Sequence, residues 1–112
     1  RLVFEGSGGL LLPLNSQDMI IDLISYLDLS VVLVARSTLG TLNHTLLSIE
    51  ALRRREISIM GVVLNGPEHQ SNRETIQHFG DVEILAEINT IDPLNAETLQ
   101  KTFNNNFKLR TY

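Results

Sequence analysis

The sequence predicts an α/β domain, a three-layer sandwich in which helices cover the faces of a mostly parallel β-sheet. Runs of β-branched and aliphatic residues, such as residues 31–34, are typical of strands buried on both faces. These runs alternate with segments whose apolar residues recur at helical spacing, as in residues 41–55. Such alternation favours parallel strands joined by right-handed crossovers. A chain of 112 residues is expected to form a single domain over residues 1–112.

Strands and helices are predicted to alternate four times along the chain. The predicted strands, which consist mainly of apolar residues, cover residues 2–4, 29–35, 57–64 and 82–88. The predicted helices cover residues 17–27, 41–55, 72–79 and 94–103. Asn15 or Ser16 is expected to cap the first helix and Thr41 the second, because short polar side chains satisfy the free N–H groups of a first turn. The polar residues 104–106 are expected to fray.

The composition excludes several classes of protein and of site. The net charge of −4 gives no general attraction to nucleic acid or to anionic membranes. The sequence has no apolar run long enough to span a bilayer, and its N-terminus does not resemble a signal peptide. It has no cysteine, which excludes disulfides and thiolate metal ligands. We therefore expect a cytoplasmic protein without nucleic-acid or membrane partners.

Polar or small residues follow each predicted strand. These residues are Glu5, the turn at 39–43, Asn65 and the loop at 89–91. The carboxyl ends of parallel strands share one edge of the sheet, where open α/β folds bind their ligands. Glu5 could provide an oxygen ligand for Mg²⁺, the glycines after it could approach an anion, and the Asn65 amide could read the edge of a base. Each feature alone is also common in an ordinary turn.

The turn between the second strand and the second helix is a candidate anion site. Gly40 and Thr41 stand at the start of the helix, whose free N–H groups and dipole attract negative charge. An ordinary βα turn explains the same residues equally well. His44, in the first helical turn, could act as a general base. We expect instead a structural hydrogen bond, because no catalytic partner for it is evident in the sequence.

Two groups of charged residues have both a structural and a functional interpretation. Asp18 and Asp22 lie four residues apart on one helix face, so they are either paired metal ligands or, as we expect, a solvated surface. The run Arg53, Arg54 and Arg55 suggests nucleic-acid binding. At the end of a helix in an acidic chain, however, it is better interpreted as a set of cations that complement the helix dipole.

Three stretches in this order resemble the dethiobiotin synthetase family. They are EGSGGLLLPL from Glu5, VVLVARSTLGTLNHTLLSIEALRRR from Val31 and GVVLN from Gly61. The resemblance implies a P-loop nucleotide-binding fold and a homodimer. It also implies closure of the ureido ring of dethiobiotin from 7,8-diaminononanoate, CO₂ and MgATP. In that reaction a substrate carbamate attacks the γ-phosphate, and the resulting anhydride cyclises with loss of phosphate.

The resemblance implies roles for individual residues. Glu5 matches the Mg²⁺ ligand within the nucleotide site. The glycine turn beside the nucleotide and the diamine is matched by Gly6, Ser7 and Gly8. The adenine-contacting residues are matched by Asn65 with Gly66, and by a second loop of Asn89, Thr90 and Ile91, although many members carry proline where Asn89 stands. The segment that receives the distal carboxylate of the substrate in the partner subunit is matched by Gly40, Thr41, Leu42 and Asn43.

One departure from the family is large. The phosphate loop G-x-x-x-x-G-K-[ST], the catalytic lysine that follows it and a second Mg²⁺-binding aspartate are absent from this sequence. We therefore expect no catalytic residue in this chain, and we expect it to be the C-terminal half of such an enzyme, inactive alone. The other half would be missing by truncation or supplied by another polypeptide. The alternatives are a degenerate interaction or dimerisation module without catalysis, and another P-loop amidoligase or transferase.

Overall fold

The computed structural model describes residues 1–6 and 8–107, which form an α/β domain. Among these residues there are three strands and four helices. In chain order they are α1 (Ile20–Tyr26), β1 (Val31–Arg36), α2 (Thr41–Arg54), β2 (Ile59–Asn65), α3 (Gln70–Gly80), β3 (Ile84–Ile88) and α4 (Ala96–Asn106). The predicted α/β class is therefore confirmed.

The three strands form a parallel sheet in the order β1-β2-β3. At its carboxyl edge Arg36 pairs with Asn65, and Asn65 pairs with Ile88. Backbone hydrogen bonds continue one residue past the strands. The Ser37 N–H donates to the Asn65 carbonyl at 3.2 Å, and the Gly66 N–H donates to the Ile88 carbonyl at 2.8 Å. The carboxyl ends of the three strands are therefore aligned at the same edge of the sheet.

The main core lies between one face of the sheet and the helices α2 and α3. Its buried residues are Ala35, Ile49, Val62, Leu64, Ile76 and Ile84. The two helices approach closely at Gly80, where a Cβ atom would lie 2.9 Å from Cδ1 of Ile49. A second cluster of Ile21, Leu52 and Ile57 joins α1 to the end of α2 and to the segment before β2. Burial of these aliphatic side chains is the main favourable term in the stability of the domain.

The arginine run at the end of α2 makes structural contacts. Arg53 donates hydrogen bonds to the carbonyl of Gly80 and, at 2.6 Å, to the carbonyl of Asp81. These carbonyls belong to the end of α3, where a helix has unsatisfied acceptors and a negative partial charge. Arg55 lies 3.7 Å from Asp22 of α1. Arg53 therefore complements a helix dipole, as predicted, but the dipole is that of α3 and not that of its own helix.

The strand predicted at residues 2–4 is wrong. Leu2, Val3 and Phe4 are exposed and lie outside the sheet. A strand needs a hydrogen-bonded neighbour, and β1 is paired on one side, with β2, in the part of the chain that the structure describes. Val34 of β1 is also 63% exposed, so an apolar surface is left uncovered beside this strand.

Most predicted helix ends differ from the structure by one to three residues, and two of the differences have an identifiable cause. The first helix begins at Ile20 and not at residue 17, because the Asn15 side chain accepts the N–H groups of Gln17 and Asp18 and holds them in a turn. Asn15 therefore caps this turn and not the helix. The last helix continues to Asn106, so residues 104–106 do not fray. The Asn106 amide donates to the Glu87 carbonyl at 2.9 Å, which ties the end of α4 to β3.

Candidate functional site

Of the residues predicted to surround a nucleotide, those assigned to adenine lie together at the carboxyl edge of the sheet: Asn65, Gly66 and the loop of residues 89–91. Asn65 ends β2 with its side chain exposed, and the Gly66 N–H is bonded to Ile88, the residue directly before Asn89. The pairing register thus brings Asn65 and Gly66 beside the loop of residues 89–91. Side-chain amides and free backbone groups in this position can read the donors and acceptors of a heterocyclic base.

The backbone conformation and the close packing at residue 66 both require glycine. Its φ is +133°, a conformation that side chains rarely adopt. The Ser37 side chain fills the space beside its Cα. Ser37 is 8% exposed, and its hydroxyl oxygen has no hydrogen-bond partner among the described residues. Ser37 was not predicted as a site residue, because only the register of β1 against β2 shows that it lies beside Gly66.

A cleft of about 350 Å³ opens between the loop after β3 and helix α4. We call it the α4 cleft. Its loop side is lined by Asn89, Thr90 and Ile91, and its helix side by Thr98, Lys101, Thr102 and Asn106. Most of these side chains are polar, and a cavity of this size is within the range of small-molecule sites. The helical side was not predicted, although its residues recur at the spacing of one helix face.

The N-terminus of α2 offers free N–H groups. The predicted cap Thr41 is wrong, because Gly40 is the N-cap residue, with φ +88°, and makes no side-chain hydrogen bond. The Thr41 hydroxyl is buried and lies 3.3 Å from that of Thr45. The N–H groups of Leu42 and Asn43 have no acceptor among the described residues. Gly40, Thr41, Leu42 and Asn43 are thus contiguous at a helix N-terminus, where an anion is favoured.

His44 does not make the structural hydrogen bond that the sequence suggested. Its side chain is exposed, and its ring has no hydrogen-bond partner within the described residues. The ring instead lies beside Gly40, with Cδ2 3.5 Å from the position of a Cβ atom there. The backbone of His44 is bonded at both ends, since its N–H donates to Gly40 and its carbonyl accepts from Ser48.

The glycine turn after Glu5 is separate from the sheet. Glu5 is exposed, and Gly6 lies next to Ile20, with 3.3 Å between its Cβ position and Cγ2 of Ile20. Gly8 has the positive φ expected of a glycine turn, +89°. Ser7 lies outside the described residues. Among the described residues, Glu5, Gly6 and Gly8 belong to no strand, and no hydrogen bond or ion pair joins them to Asn65.

The carboxylates do not form a complete metal site. Among the described residues no group of three or more histidine, aspartate or glutamate side chains is placed to hold a metal ion. Asp22 accepts the Met19 N–H at 2.7 Å and pairs with Arg55, while Asp18 accepts from Asn15 at 3.2 Å. Asp18 and Asp22 therefore have structural partners. Glu5 can offer one oxygen, which fits Mg²⁺ as a single ligand among waters and phosphates and not as a complete site.

Comparison with known proteins decides the family. A family model described as an AAA domain matches residues 1–98. The chain belongs to this AAA domain family. No helix in the described part of this AAA domain is long and apolar enough to cross a membrane.

The AAA domain is similar to curated proteins named as dethiobiotin synthetases and to one named as a biotin biosynthesis protein. It is 49% identical over 98 residues to the ATP-dependent dethiobiotin synthetase BioD of Paramagnetospirillum magneticum, covering 88% of this chain and 48% of that protein. It is 47% identical over 106 residues to BioD of Rhodopseudomonas palustris, covering 95% and 51%. It is 51% identical over 98 residues to the biotin biosynthesis bifunctional protein BioCD of Bordetella avium, covering 88% and 21%.

These similarities confirm the resemblance to the dethiobiotin synthetase family. The chain spans about half the length of the dethiobiotin synthetases that it matches. The P-loop type of fold is thus present in part, and the sequence carries no phosphate loop of its own.

Proposed function

We propose that this chain is part of an ATP-dependent dethiobiotin synthetase, which closes the ureido ring of dethiobiotin from 7,8-diaminononanoate and CO₂ in biotin biosynthesis. The observation that carries the proposal is the meeting of Asn65 and Gly66 with residues 89–91 at one sheet edge, at the positions that the family resemblance assigns to adenine. The similarity to BioD proteins supports the same conclusion.

In this proposal the chain supplies the adenine side of the nucleotide site. The exposed Asn65 amide hydrogen-bonds the edge of the base, and Gly66, Asn89, Thr90 and Ile91 form its surroundings. ATP supplies the phosphoryl group that activates the carbamate. Phosphoryl transfer depends on positive groups around the phosphates. The chain lacks a phosphate loop, so we assign it binding roles and no catalytic residue, and we propose that it is inactive alone.

The glycine turn has its proposed role beside the phosphates. Glu5 offers one oxygen to Mg²⁺, and Gly6, Ser7 and Gly8 let the backbone approach the nucleotide and the diamine. The apolar side chains of residues 2–4, directly before this turn, are exposed, and we propose that they pack against the rest of the complete polypeptide.

The N-terminus of α2 is proposed to bind the distal carboxylate of the substrate held by a partner subunit of a homodimer. The free N–H groups of Leu42 and Asn43 and the exposed Asn43 side chain support this assignment. Gly40 and Thr41 shape the turn. A carboxylate at a helix N-terminus is favoured both by the dipole and by the unsatisfied donors. We place the enzyme in the cytoplasm, without nucleic-acid or membrane partners.

The test uses the complete polypeptide, meaning the full product of the gene that contains this sequence. With 7,8-diaminononanoate, bicarbonate, ATP and Mg²⁺ it should form dethiobiotin, and omission of ATP or Mg²⁺ should abolish the product. The 112-residue chain alone should form none. A complete polypeptide that binds ATP but forms no dethiobiotin would contradict the substrate. One that dimerises without binding ATP would favour an interaction module.

A further inference from the structure

The α4 cleft has two walls, and the family resemblance gives a role to one of them. The loop wall of Asn89, Thr90 and Ile91 belongs to the proposed adenine site. The opposite wall, on α4, includes Lys101. A ligand that enters this cleft lies between the loop wall and α4. The polar side chains of α4 differ in whether they are free to bind such a ligand.

The hydroxyl and amide groups of the α4 wall already donate hydrogen bonds within the protein. The Thr98 hydroxyl donates to the Pro93 carbonyl at 2.7 Å, and the Thr102 hydroxyl donates to the Thr98 carbonyl at 2.8 Å. The Asn106 amide donates to Glu87. The Thr98 bond ties the helix to the preceding loop, the Asn106 bond ties it to β3, and the Thr102 bond lies within α4. Their remaining capacity is mainly that of acceptors.

Lys101 is different. Its side chain is exposed, and within residues 1–6 and 8–107 no hydrogen bond or ion pair engages its ammonium group. A lysine has three donors and no acceptor, so it needs an acceptor or an anion. In the part of the chain that the structure describes, the cleft therefore presents one cation without a hydrogen-bond or ion-pair partner, next to a loop that offers polar groups.

We propose that Lys101 is a further binding residue of the nucleotide site and that its ammonium donates a hydrogen bond to the adenosine portion of ATP. This inference rests on the proposed function. The acceptor is a ring nitrogen of the base or an oxygen of the ribose, because the cleft is lined by the adenine-side loop. The phosphates belong beside the glycine turn after Glu5, which makes no contact with this cleft in the described residues.

The experiment compares Lys101→Met with Arg54→Met in the complete polypeptide. Both variants remove one exposed positive charge, and Arg54, on α2, lies outside the α4 cleft. Isothermal titration gives the Kd of ATP, ADP and adenosine for each variant. We expect Lys101→Met to weaken all three by a similar factor of about ten or more, the usual effect of losing a hydrogen bond to a charged group. Lys101→Arg should retain part of the affinity, and Arg54→Met should bind as the unaltered polypeptide does.

Two results would overturn the inference while leaving the proposed function intact. One is an unaltered polypeptide that binds ATP and forms dethiobiotin, with Lys101→Met binding adenosine as tightly as Arg54→Met does. The other is a Lys101→Met variant that loses affinity for ATP but not for adenosine, since that pattern indicates a phosphate contact. An unaltered polypeptide that binds no adenosine nucleotide would overturn both proposals. Thermal unfolding of each variant checks that the fold is kept.

Discussion

The hydroxyl oxygen of Ser37 lies 2.5 Å from the point that a Cβ atom of residue 66 would occupy, so Ser37 and Gly66 fit together because residue 66 has no side chain. The two residues stand at the ends of neighbouring strands, and the backbone bond from Ser37 to Asn65 holds them in register. Asn65 and Gly66, which are proposed to surround adenine, are therefore held in place by Ser37, a residue with no proposed contact to the base.

Gly66→Ala should lower both stability and nucleotide affinity. The new methyl group meets Ser37 and also forces a strained positive φ, and together we expect these effects to cost about 1–3 kcal/mol of unfolding free energy. Thermal unfolding and ATP titration of the complete polypeptide measure the two effects. Gly9→Ala is the matched control, because Gly9 also has a positive φ but no atom within 4 Å of its Cβ position. Equal losses in the two variants would mean that the Ser37 contact is unimportant.

Ser37→Ala should raise the stability of the unliganded protein. Its buried hydroxyl has no partner among the described residues, and a desolvated, unsatisfied polar group costs about 1–3 kcal/mol. Removing the oxygen should recover part of this, about 1 kcal/mol, as an increase in the midpoint of chemical unfolding. Thr45→Val gives the contrast, since its buried hydroxyl is paired with that of Thr41 and its loss should destabilise. A Ser37→Ala variant less stable than the parent would show that the hydroxyl has a partner in solution.

Arg53→Met should destabilise the contact between α2 and α3. The guanidinium satisfies two carbonyls at the end of α3, and loss of such charge-assisted hydrogen bonds at a partly exposed site should cost about 1–2 kcal/mol. Urea unfolding measures the change. Arg54→Met, one residue later, should change the stability by less than about 0.5 kcal/mol, as is usual for a surface substitution. If both variants lose the same unfolding free energy, the loss of a positive charge would explain the effect, and not the hydrogen bonds from Arg53 to the end of α3.

Asn43→Ala should weaken binding of 7,8-diaminononanoate by about 1–3 kcal/mol and leave ATP affinity nearly unchanged. The reason is that Asn43 stands at the N-terminus of α2, at the proposed carboxylate site, and does not line the α4 cleft. Titration of each ligand separately into the complete polypeptide tests this. Equal loss of both affinities would contradict the carboxylate role and would indicate a general disturbance of the site.

Glu5→Gln should lower the rate of dethiobiotin formation, and the loss should be greatest at low Mg²⁺ concentration. The amide keeps the size of the side chain but removes the negative charge that favours a hard divalent cation. The apparent Mg²⁺ affinity, measured from dethiobiotin formation at increasing Mg²⁺, should fall while stability stays constant, because Glu5 is exposed. A fully active Glu5→Gln enzyme at low Mg²⁺ would end the metal assignment.

The sheet and the adenine-side edge could be predicted because both depend on local patterns. Aliphatic runs fixed the positions of β1, β2 and β3 to within about two residues, and parallel alternation placed Asn65 and Asn89 at one edge. Residues 2–4 have the same kind of pattern, but a strand also needs a neighbour. The identity of that neighbour is a long-range property that local sequence does not contain.

The features that the sequence missed depend on contacts between distant residues. Ser37 faces Gly66 because of the strand register, and nothing in the neighbourhood of either residue indicates it. The α4 wall of the cleft exists because Asn106 reaches Glu87, nineteen positions earlier in the sequence. Arg53 was expected to serve the dipole of its own helix, and the carbonyls that it satisfies belong to the next one.

The pairing of Arg36, Asn65 and Ile88 at the strand ends limits where this chain can accept an inserted residue. An extra residue in the loop between β2 and α3 changes the length of a connection and leaves the three strand ends where they are. An extra residue inside β2 turns every following side chain to the opposite face, because side chains alternate along a strand. Asn65 would then exchange places with a core residue. Natural length variation in this family should therefore be concentrated after residue 66 and be nearly absent between residues 62 and 65.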